Sequence, residues 1–322
     1  LSRLVTEPTG NTMSELRRTM IQMIAEGAIS RRLYQLTTER KVAAESAGFS
    51  HSRVIATTRA ISWSAEGRPE KWKELLAFAI GEQKRLREHG LREEEIEEQR
   101  REAITQFEAS LKALETIESG ALMSWFAGGL DKVTPPPATG LLFGMGRTML
   151  AEITSSEINV AVRELMAPAA HRIVVVLPKR DRFVVPTAGQ VLSVANAMAR
   201  NVVTPSAAHK DLPKLLAEEP KPGKIAQRTH DRELNVTSLV FENGVRLHLR
   251  PMSEQKNKVE IEIRVAGGEI EETADNRGMT DAASMALLHA GTSHLTPNDL
   301  ERLLTAKSIA PIGTSQRDHF LI

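Results

Sequence analysis

The sequence predicts an α/β (α+β) protein in which antiparallel sheets are layered against helices. Apolar residues recur at helical spacing through most of the first two hundred residues. Beyond about residue 235 the period changes to two, which is typical of strands with one buried face. An Asn-Gly pair at 243–244, between two apolar runs, adds a strong signal for a β-hairpin.

Length and charge limit the possible classes of protein. A chain of 322 residues exceeds the roughly 250 residues at which single cores stop growing, so we expect two packed units. A net charge of +1 gives no electrostatic signature of a nucleic-acid partner. No apolar run reaches the roughly 18 to 20 residues of a membrane span, and the absence of cysteine excludes disulfides and Cys-based zinc sites.

The first elements are predicted in chain order. Helical spacing from Met13 to Leu36 predicts a helix, interrupted by Gly27. Alternating β-branched and small residues from Ser52 to Ser64 predict one strand. Pro69 opens a helix to about His89, and Gly90 suits a left-handed cap.

A second long helix follows at once, and a shorter helix and a strand come after it. The inward face of the long helix is predicted at Ile96, Ala103, Ile104, Phe107, Leu111 and Leu114. Thr154 and Glu157 form a capping box for a helix from Ser155 to Met166. The apolar run from Arg172 to Leu177 predicts a buried strand.

Domain limits are predicted from a change in composition. Residues 201–234 are rich in Pro, Lys and Glu and lack a period, so we expect an exposed connector there. The chain is therefore predicted to consist of a domain over residues 1–200, this connector, and the start of a second domain over residues 235–322.

The second domain begins with strands. Residues 239–241 and 245–249 are predicted to flank the Asn-Gly turn, and Val259 to Val265 alternate apolar with charged residues, so we expect one buried and one wet face. A helix is predicted from about Gly278 to His289. Thr296, followed by Pro297, predicts another helix that runs to Lys307.

Several of these segments, in this order, resemble the pitrilysin/insulinase family of zinc metallopeptidases. In its second part the resemblance rests on Phe241-Glu-Asn-Gly-Val245, Val259–Val265, Gly267–Glu272, Arg277-Gly278 and Gly291-Thr292. In its first part it rests on Ser30-Arg-Arg-Leu33, the strand around Ile61, the paired long helices, Ile153–Ile158 and Ile173–Pro178.

The resemblance implies a repeated α/β domain and a two-halved chamber that encloses unfolded peptides. Residues 1–200 would be the second domain of the first half, and residues 235–322 would begin a degenerate peptidase-like domain of the second half. The family resemblance also implies that zinc is the cofactor of the parent enzyme.

The zinc motif itself is missing at its expected place. In an active domain HxxEH lies on the helix, with two His one turn apart as zinc ligands and a Glu that activates water. Counted from Gly278, the three positions are Asp281, Ser284 and Met285; counted back from Gly291, they are Ala282, Met285 and Ala286. We therefore predict no catalytic, metal or cofactor-binding residue in this chain.

Other histidines do not replace the motif. His289 and His294 are five residues apart with a Gly between them and have no accompanying Glu, so a shared metal is not expected. His171 and His319 are interpreted as polar surface or turn residues.

The resemblance predicts a non-catalytic part of a bacterial zinc metalloendopeptidase. Such a part would close the chamber and align a peptide or unfolded protein for a zinc site elsewhere in the parent. Its partners would be peptide substrate and the remaining domains or a partner subunit, and the periplasm is expected, with the cytoplasm as the alternative.

Two other functions stay open. One is a catalytically silent structural subunit of an assembly; an intact HxxEH upstream in the parent would favour the first hypothesis over it. The other is a helical adaptor built around residues 70–118, which leaves the strand signals unexplained.

Overall fold

The computed structural model describes residues 1–6, 12–55, 57–130, 139–167, 171–178, 184–207, 214–216, 218–253, 259–307, 309 and 311–322. The helices are α1 Met13–Thr38, α2 Trp72–His89, α3 Glu93–Ala113, α4 Ser119–Leu130, α5 Thr139–Glu152, α6 Ser155–Leu165, α7 Ala188–Arg200, α8 Met279–His289 and α9 Pro297–Ala306. The strands are β1 Ser2–Thr6, β2 Ser46–Ile55, β3 Thr58–Glu66, β4 Ile225–Asp231, β5 Val236–Phe241, β6 Arg246–Leu249, β7 Arg264–Ala266, β8 Thr314–Ser315 and β9 His319–Leu321. All paired strands among them are antiparallel, which confirms the predicted fold class.

Contacts divide the chain into two compact units. The first contains Leu1–Glu108, Pro137–Leu212 and His289–Ala310, and the second contains Ala109–Pro136, Pro213–Leu288 and Pro311–Ile322. The domain limits predicted from the sequence, residues 1–200 and 235–322, stay a prediction. The connector predicted over residues 201–234 is not without secondary structure, because β4 lies inside it and pairs with β5. All residues of β4 are exposed, so no alternation of apolar and polar residues predicted this strand.

The sheet of the first unit has the order β1-β3-β2. The single strand predicted from Ser52 to Ser64 is wrong, because the chain reverses between Ile55 and Thr58 and these residues divide between β2 and β3. The reversal contains neither Gly nor Pro, and the alternating Ser, Thr and β-branched residues continue through it. Periodicity alone therefore gave no turn signal.

One face of this sheet packs on α1. Phe49 of β2 and Trp63 of β3 are both buried, and their rings meet edge to face with centroids 5.1 Å apart. Helix α1 begins with a capping box between Thr12 and Glu15 and buries Ile24, Ile29 and Leu33 completely. Residues of α2, α3, α5 and α6 complete the core, including Leu86, Ile96, Leu150, Ile158 and Val162.

The predicted ends of three helices are confirmed. Gly90 follows α2 with a φ of +73°, a conformation that costs a residue with a side chain more than it costs glycine. A Cβ there would also lie 2.4 Å from the Asn159 side-chain oxygen, which instead accepts a hydrogen bond from the Leu91 backbone. The capping box of Thr154 and Glu157 starts α6, and Thr296 caps α9. Each of these helix ends was predicted from residues close to it in the sequence.

A buried ion pair joins α1 to α3. Arg32 donates to both carboxylate oxygens of Glu95, over 2.7 and 2.5 Å, and also to the Gly90 carbonyl at 3.3 Å. The side chains of Arg32 and Glu95 are only 3% and 7% exposed. Glu95 also accepts a hydrogen bond from the Arg92 backbone in the first turn of α3. The pair therefore fixes the helix α1, the turn after α2 and the start of α3 together.

Charge and burial act in opposite directions on Glu95. Burial by itself would raise its pKa, but the hydrogen bonds from Arg32 and Arg92 and their charges lower it below the ordinary value. The carboxylate is consequently ionised, and its attraction to Arg32 depends on that ionisation.

The second unit contains two small sheets, β4-β5-β6 and β7-β9-β8, together with α4 and α8. The predicted hairpin of β5 and β6 is confirmed, but its loop has three residues. Gly244 alone takes a positive φ, of +87°, and its N–H donates to the Phe241 carbonyl, while Phe241 donates to Val245. This is the pattern of a tight turn followed by a glycine bulge rather than a two-residue turn in which both residues have positive φ.

Two predicted buried strands are not buried in the described chain. Val259, Ile261, Ile263 and Val265 are exposed, and only Arg264–Ala266 of that stretch forms a strand. Between Arg172 and Leu177 a single bridge to Ser2 forms; Val174 and Val176 are exposed, and Ile173, Val175 and Leu177 are half-buried. In both cases the apolar pattern is present, but the described residues leave 259–265 exposed and cover only one side of 172–177, in part.

Among the described residues, no helix combines the length and apolarity that crossing a bilayer requires.

Replacement of Arg32 by Ala should destabilise the chain strongly, because it leaves the Glu95 carboxylate buried without its partner. We expect the free energy of unfolding in urea to fall by about 3–5 kcal/mol. The matched control is Lys71→Ala, which removes the exposed ion pair with Glu74 and should cost about 0–1 kcal/mol. Equal losses in the two variants would show that the buried pair has no special role.

The same comparison has a pH dependence with a defined sign. Because the folded pKa of Glu95 is lowered, its contribution is complete above the unfolded value of 4.5 and is lost as the pH falls through the folded pKa. The difference between wild type and Arg32→Ala should therefore shrink below about pH 4.5.

Candidate functional site

Helix α8 lies where the zinc motif was expected, and a carboxylate fixes its first turn. Glu272 accepts hydrogen bonds from the Gly278 backbone at 2.9 Å, the Thr280 backbone at 3.0 Å and the Thr280 hydroxyl at 2.6 Å. The Gly278 bond, followed by the two Thr280 bonds, lowers the pKa of Glu272. Gly278 takes a φ of +82°, which allows the chain to turn into the helix. The start of α8 is thus well defined.

The motif positions on α8 do not fit zinc in either register. Asp281 accepts a hydrogen bond from the Ser315 hydroxyl, and Ser284 is buried and donates to the Thr280 carbonyl over 3.0 Å. Met285 is exposed, and the other register places Ala282 and Ala286 beside it. A zinc site in a peptidase needs imidazole or carboxylate ligands that converge on one point, and Asp281 is the one such residue at the motif positions of the two registers.

Two of the other histidines contact neighbouring side chains. His171 lies 2.9 Å from the side-chain nitrogen of the buried Gln83, and His319 of β9 lies 2.8 Å from Asp318. His294 is exposed, and α8 ends at His289. His319 is half-buried and lies in a strand rather than in a turn, and the interpretation of His171 and His319 as polar surface or turn residues stays a prediction. Across the part of the chain that the structure describes, no group of three His, Cys, Asp or Glu residues could hold a metal ion.

The outer edge of β2 is the second candidate site, and sequence reasoning missed it. Trp63 of β3 uses both of its backbone groups toward the β1 side, because it donates to the Leu1 carbonyl and accepts from the Leu1 amino group. In an antiparallel sheet the residue opposite Trp63 on β2, Phe49, must then direct its own backbone groups away from β3. His51, two residues on, has the same orientation.

The Phe49 and His51 side chains at this edge are turned into the core. The His51 side chain is 1% exposed and the whole residue is 7% exposed. Its ring contacts the Glu26 carboxylate of α1 at 3.0 Å, which holds the side chain inward. No described strand pairs with β2 beyond β3. The edge therefore directs the N–H and C=O groups of Phe49 toward the side where an extended chain could pair.

Solved structures of two proteases share the architecture of nearly the whole chain. The periplasmic protease PqqL from Escherichia coli superposes with a TM-score of 0.53 at 13% identity, over 99% of this chain and 36% of that one. A mutant of the ferredoxin protease FusC, in complex with Arabidopsis ferredoxin, gives 0.54 at 16% identity with the same coverage. The first half of PqqL gives 0.52 at 10% identity, over 64% of this chain and 45% of that one.

This chain has a pitrilysin/insulinase-like fold. The predicted resemblance is thereby confirmed at the level of architecture, while identities of this size establish no shared activity. The pitrilysin/insulinase-like chain spans 36% of the length of the PqqL and FusC structures. No family model matches its sequence, and no curated protein does.

Zinc analysis tests the assignment of α8. After treatment with chelator and reloading with zinc, we expect no stoichiometric Zn²⁺ in the wild-type chain. The double variant Asp281→His/Met285→His should gain measurable zinc, because it places two imidazoles one turn apart on an exposed face. One tightly held ion per wild-type chain would contradict the assignment.

Proposed function

We propose that this chain is the non-catalytic part of a zinc-dependent metalloendopeptidase. It closes the peptide-enclosing chamber and aligns peptide substrate for a zinc site located elsewhere in the parent. The proposal rests on the outer edge of β2, with which no described strand pairs. This edge belongs to a pitrilysin/insulinase-like fold in which the HxxEH positions of α8 hold no histidine.

Alignment by β2 follows from main-chain chemistry. An extended peptide added to the edge would pair with the backbone groups of Phe49, as strand addition does in other peptide-binding proteins. Main-chain pairing is largely independent of side-chain sequence, which suits a protein that receives unfolded polypeptides. The buried Phe49 and His51 side chains hold the strand rigid while its edge stays available.

In this arrangement, alignment of the peptide by this chain would be separate from cleavage of the peptide at the zinc site of the parent. The HxxEH positions of α8 supply neither histidine nor glutamate, so the chain is expected to be inactive alone. A bound peptide would still lose much of its conformational freedom, which lowers the entropic cost of reaching a distant catalytic group. Zinc, when bound at an intact HxxEH site of the parent, would supply the activated water.

Compartment and substrate class are proposed from the structural neighbours. PqqL is a periplasmic protease, and FusC is a protease of ferredoxin, a protein substrate. We accordingly propose a peptide or unfolded-protein substrate and the periplasm, and the cytoplasm stays the alternative.

A catalytically silent structural subunit is the second candidate function. The row of exposed apolar residues at Val259, Ile261, Ile263 and Val265 favours it, because such a surface calls for a covering element. An intact HxxEH in the rest of the parent would favour the peptidase instead, and its absence would favour the structural role.

Isomeric peptides test main-chain pairing at β2 without altering the protein. The probe is an unstructured peptide of about eight residues, and its analogue carries N-methyl groups on two consecutive central residues. Either phase of pairing directs one of these residues toward β2, so the analogue should bind at least about tenfold more weakly.

The control peptide carries the same two extra methyl groups on the side chains. It should bind within about threefold of the probe, since side-chain size matters less than main-chain pairing. Equal binding by the N-methylated analogue, or no binding of the unmodified probe at millimolar concentration, would overturn the proposal.

A further inference from the structure

Helix α9 belongs to the first unit although the chain on both sides of it belongs to the second. Residues 289–310 separate the 213–288 and 311–322 segments of the second unit. The helix is locally well specified: Thr296 accepts from the Asp299 backbone, and its hydroxyl donates to the Asp299 carboxylate over 2.7 Å. The N-cap defines where α9 begins, and a helix of this length gains most of its stability from docking.

An amide fastens the start of α9 to the end of α1. Asn298 is 4% exposed, and its side-chain oxygen accepts a hydrogen bond from the Thr38 hydroxyl over 2.5 Å. Its side-chain nitrogen donates to the Gln35 carbonyl in the last turn of α1. That carbonyl also accepts hydrogen bonds from the Glu39 backbone and the Thr38 hydroxyl, so Asn298 adds a contact from α9 to the capped end of α1.

A ladder of charges fastens the middle of α9 to α3. Arg302 donates to both oxygens of Glu98, over 3.1 and 3.3 Å, and Arg31 of α1 reaches the same carboxylate at 2.9 Å. Arg31 also binds Glu102 at 2.5 Å. Burial raises the pKa of the Tyr34 phenol, and the charge of Glu301 and its hydrogen bond with Tyr34 raise it further. Three helices therefore meet through one polar network.

The seam between these helices is incompletely filled. A cavity of about 290 Å³ lies among α1, α3 and α9, lined chiefly by Ser30, Gln35, Gln99 and the charged residues of the ladder. Apolar side chains fill the core beneath α1, whereas in the described 291–304 segment Leu295 is buried and Leu300, Leu303 and Leu304 are only half-buried. Polar contacts therefore contribute a large part of the attachment of α9, and salt weakens them more readily than apolar packing.

We propose that α9 is a detachable clasp, which docks on α1 and α3 through Asn298 and Arg302 and opens while the core of the first unit stays folded. Opening exposes the charged ladder of Arg31, Glu98 and Glu102 to solvent. It also leaves residues 289–310 attached only through the chain to the second unit. The clasp does not depend on the peptide-binding role of β2.

Hydrogen exchange of backbone amides measures the opening directly. In wild type the amides of α9 should exchange faster than those of α6, because they open locally rather than with the whole core. Arg302→Ala should accelerate exchange in α9 by about tenfold and leave α6 unchanged, since it removes two charged hydrogen bonds.

The matched control is Lys307→Ala, which removes the same charge from an exposed residue just after α9 and should change α9 exchange by less than about twofold. A salt series on the unmodified chain should also accelerate α9 selectively between 0.05 and 1 M, on the order of threefold. The proposal is wrong if Arg302→Ala exchanges no faster than Lys307→Ala, or if α9 and α6 open together at every salt concentration.

Discussion

The buried pair of Arg32 and Glu95 is the contact on which the rest of the first unit depends. Two opposite charges with almost no exposure are costly to bury, and mutual pairing with further hydrogen bonds offsets that cost. Arg32 reaches Glu95 and the Gly90 carbonyl together, so the pair ties α1 to the end of α2 and to the start of α3. That arrangement sets α1 on the sheet and brings Glu98 and Glu102 beneath α9.

The site follows from the same scaffold. With α1 fixed, Glu26 holds the His51 ring inward, and Phe49 packs on Trp63. The outer edge of β2 is then the part of this sheet with which an extended chain could pair. A scaffold of this kind can hold an extended chain in one orientation without contributing to bond cleavage. No histidine stands at the motif positions Asp281, Ser284 and Met285, although Glu272 fixes the start of the helix. This is consistent with a chain that aligns a peptide without cleaving it.

Local signals in the sequence predicted what local chemistry determines. Neighbouring residues predicted the capping box of Thr154 and Glu157, the glycine after α2, the Asn-Gly hairpin and the start of α9. The motifs also predicted the fold. The features that could not be predicted depend on residues far apart in the sequence. They are the ion pair of Arg32 and Glu95, 63 positions apart, and the docking of Asn298 on α1. The orientation of the β2 edge also depends on such a contact, because it follows from the pairing of Trp63 with Leu1. The turn between β2 and β3 was missed because the apolar alternation runs through it, and the apolar row at 259–265 predicted a burial that no described element provides.

Amide NMR of the isotopically labelled chain, titrated with an unfolded peptide in the presence of zinc, tests the central claim most directly. The account predicts that the Phe49 amide shifts as the peptide binds, that amides of α8 do not, and that mass spectrometry finds the peptide intact. Peptide cleavage that a chelator abolishes, or binding that leaves the β2 amides unchanged, would contradict the account.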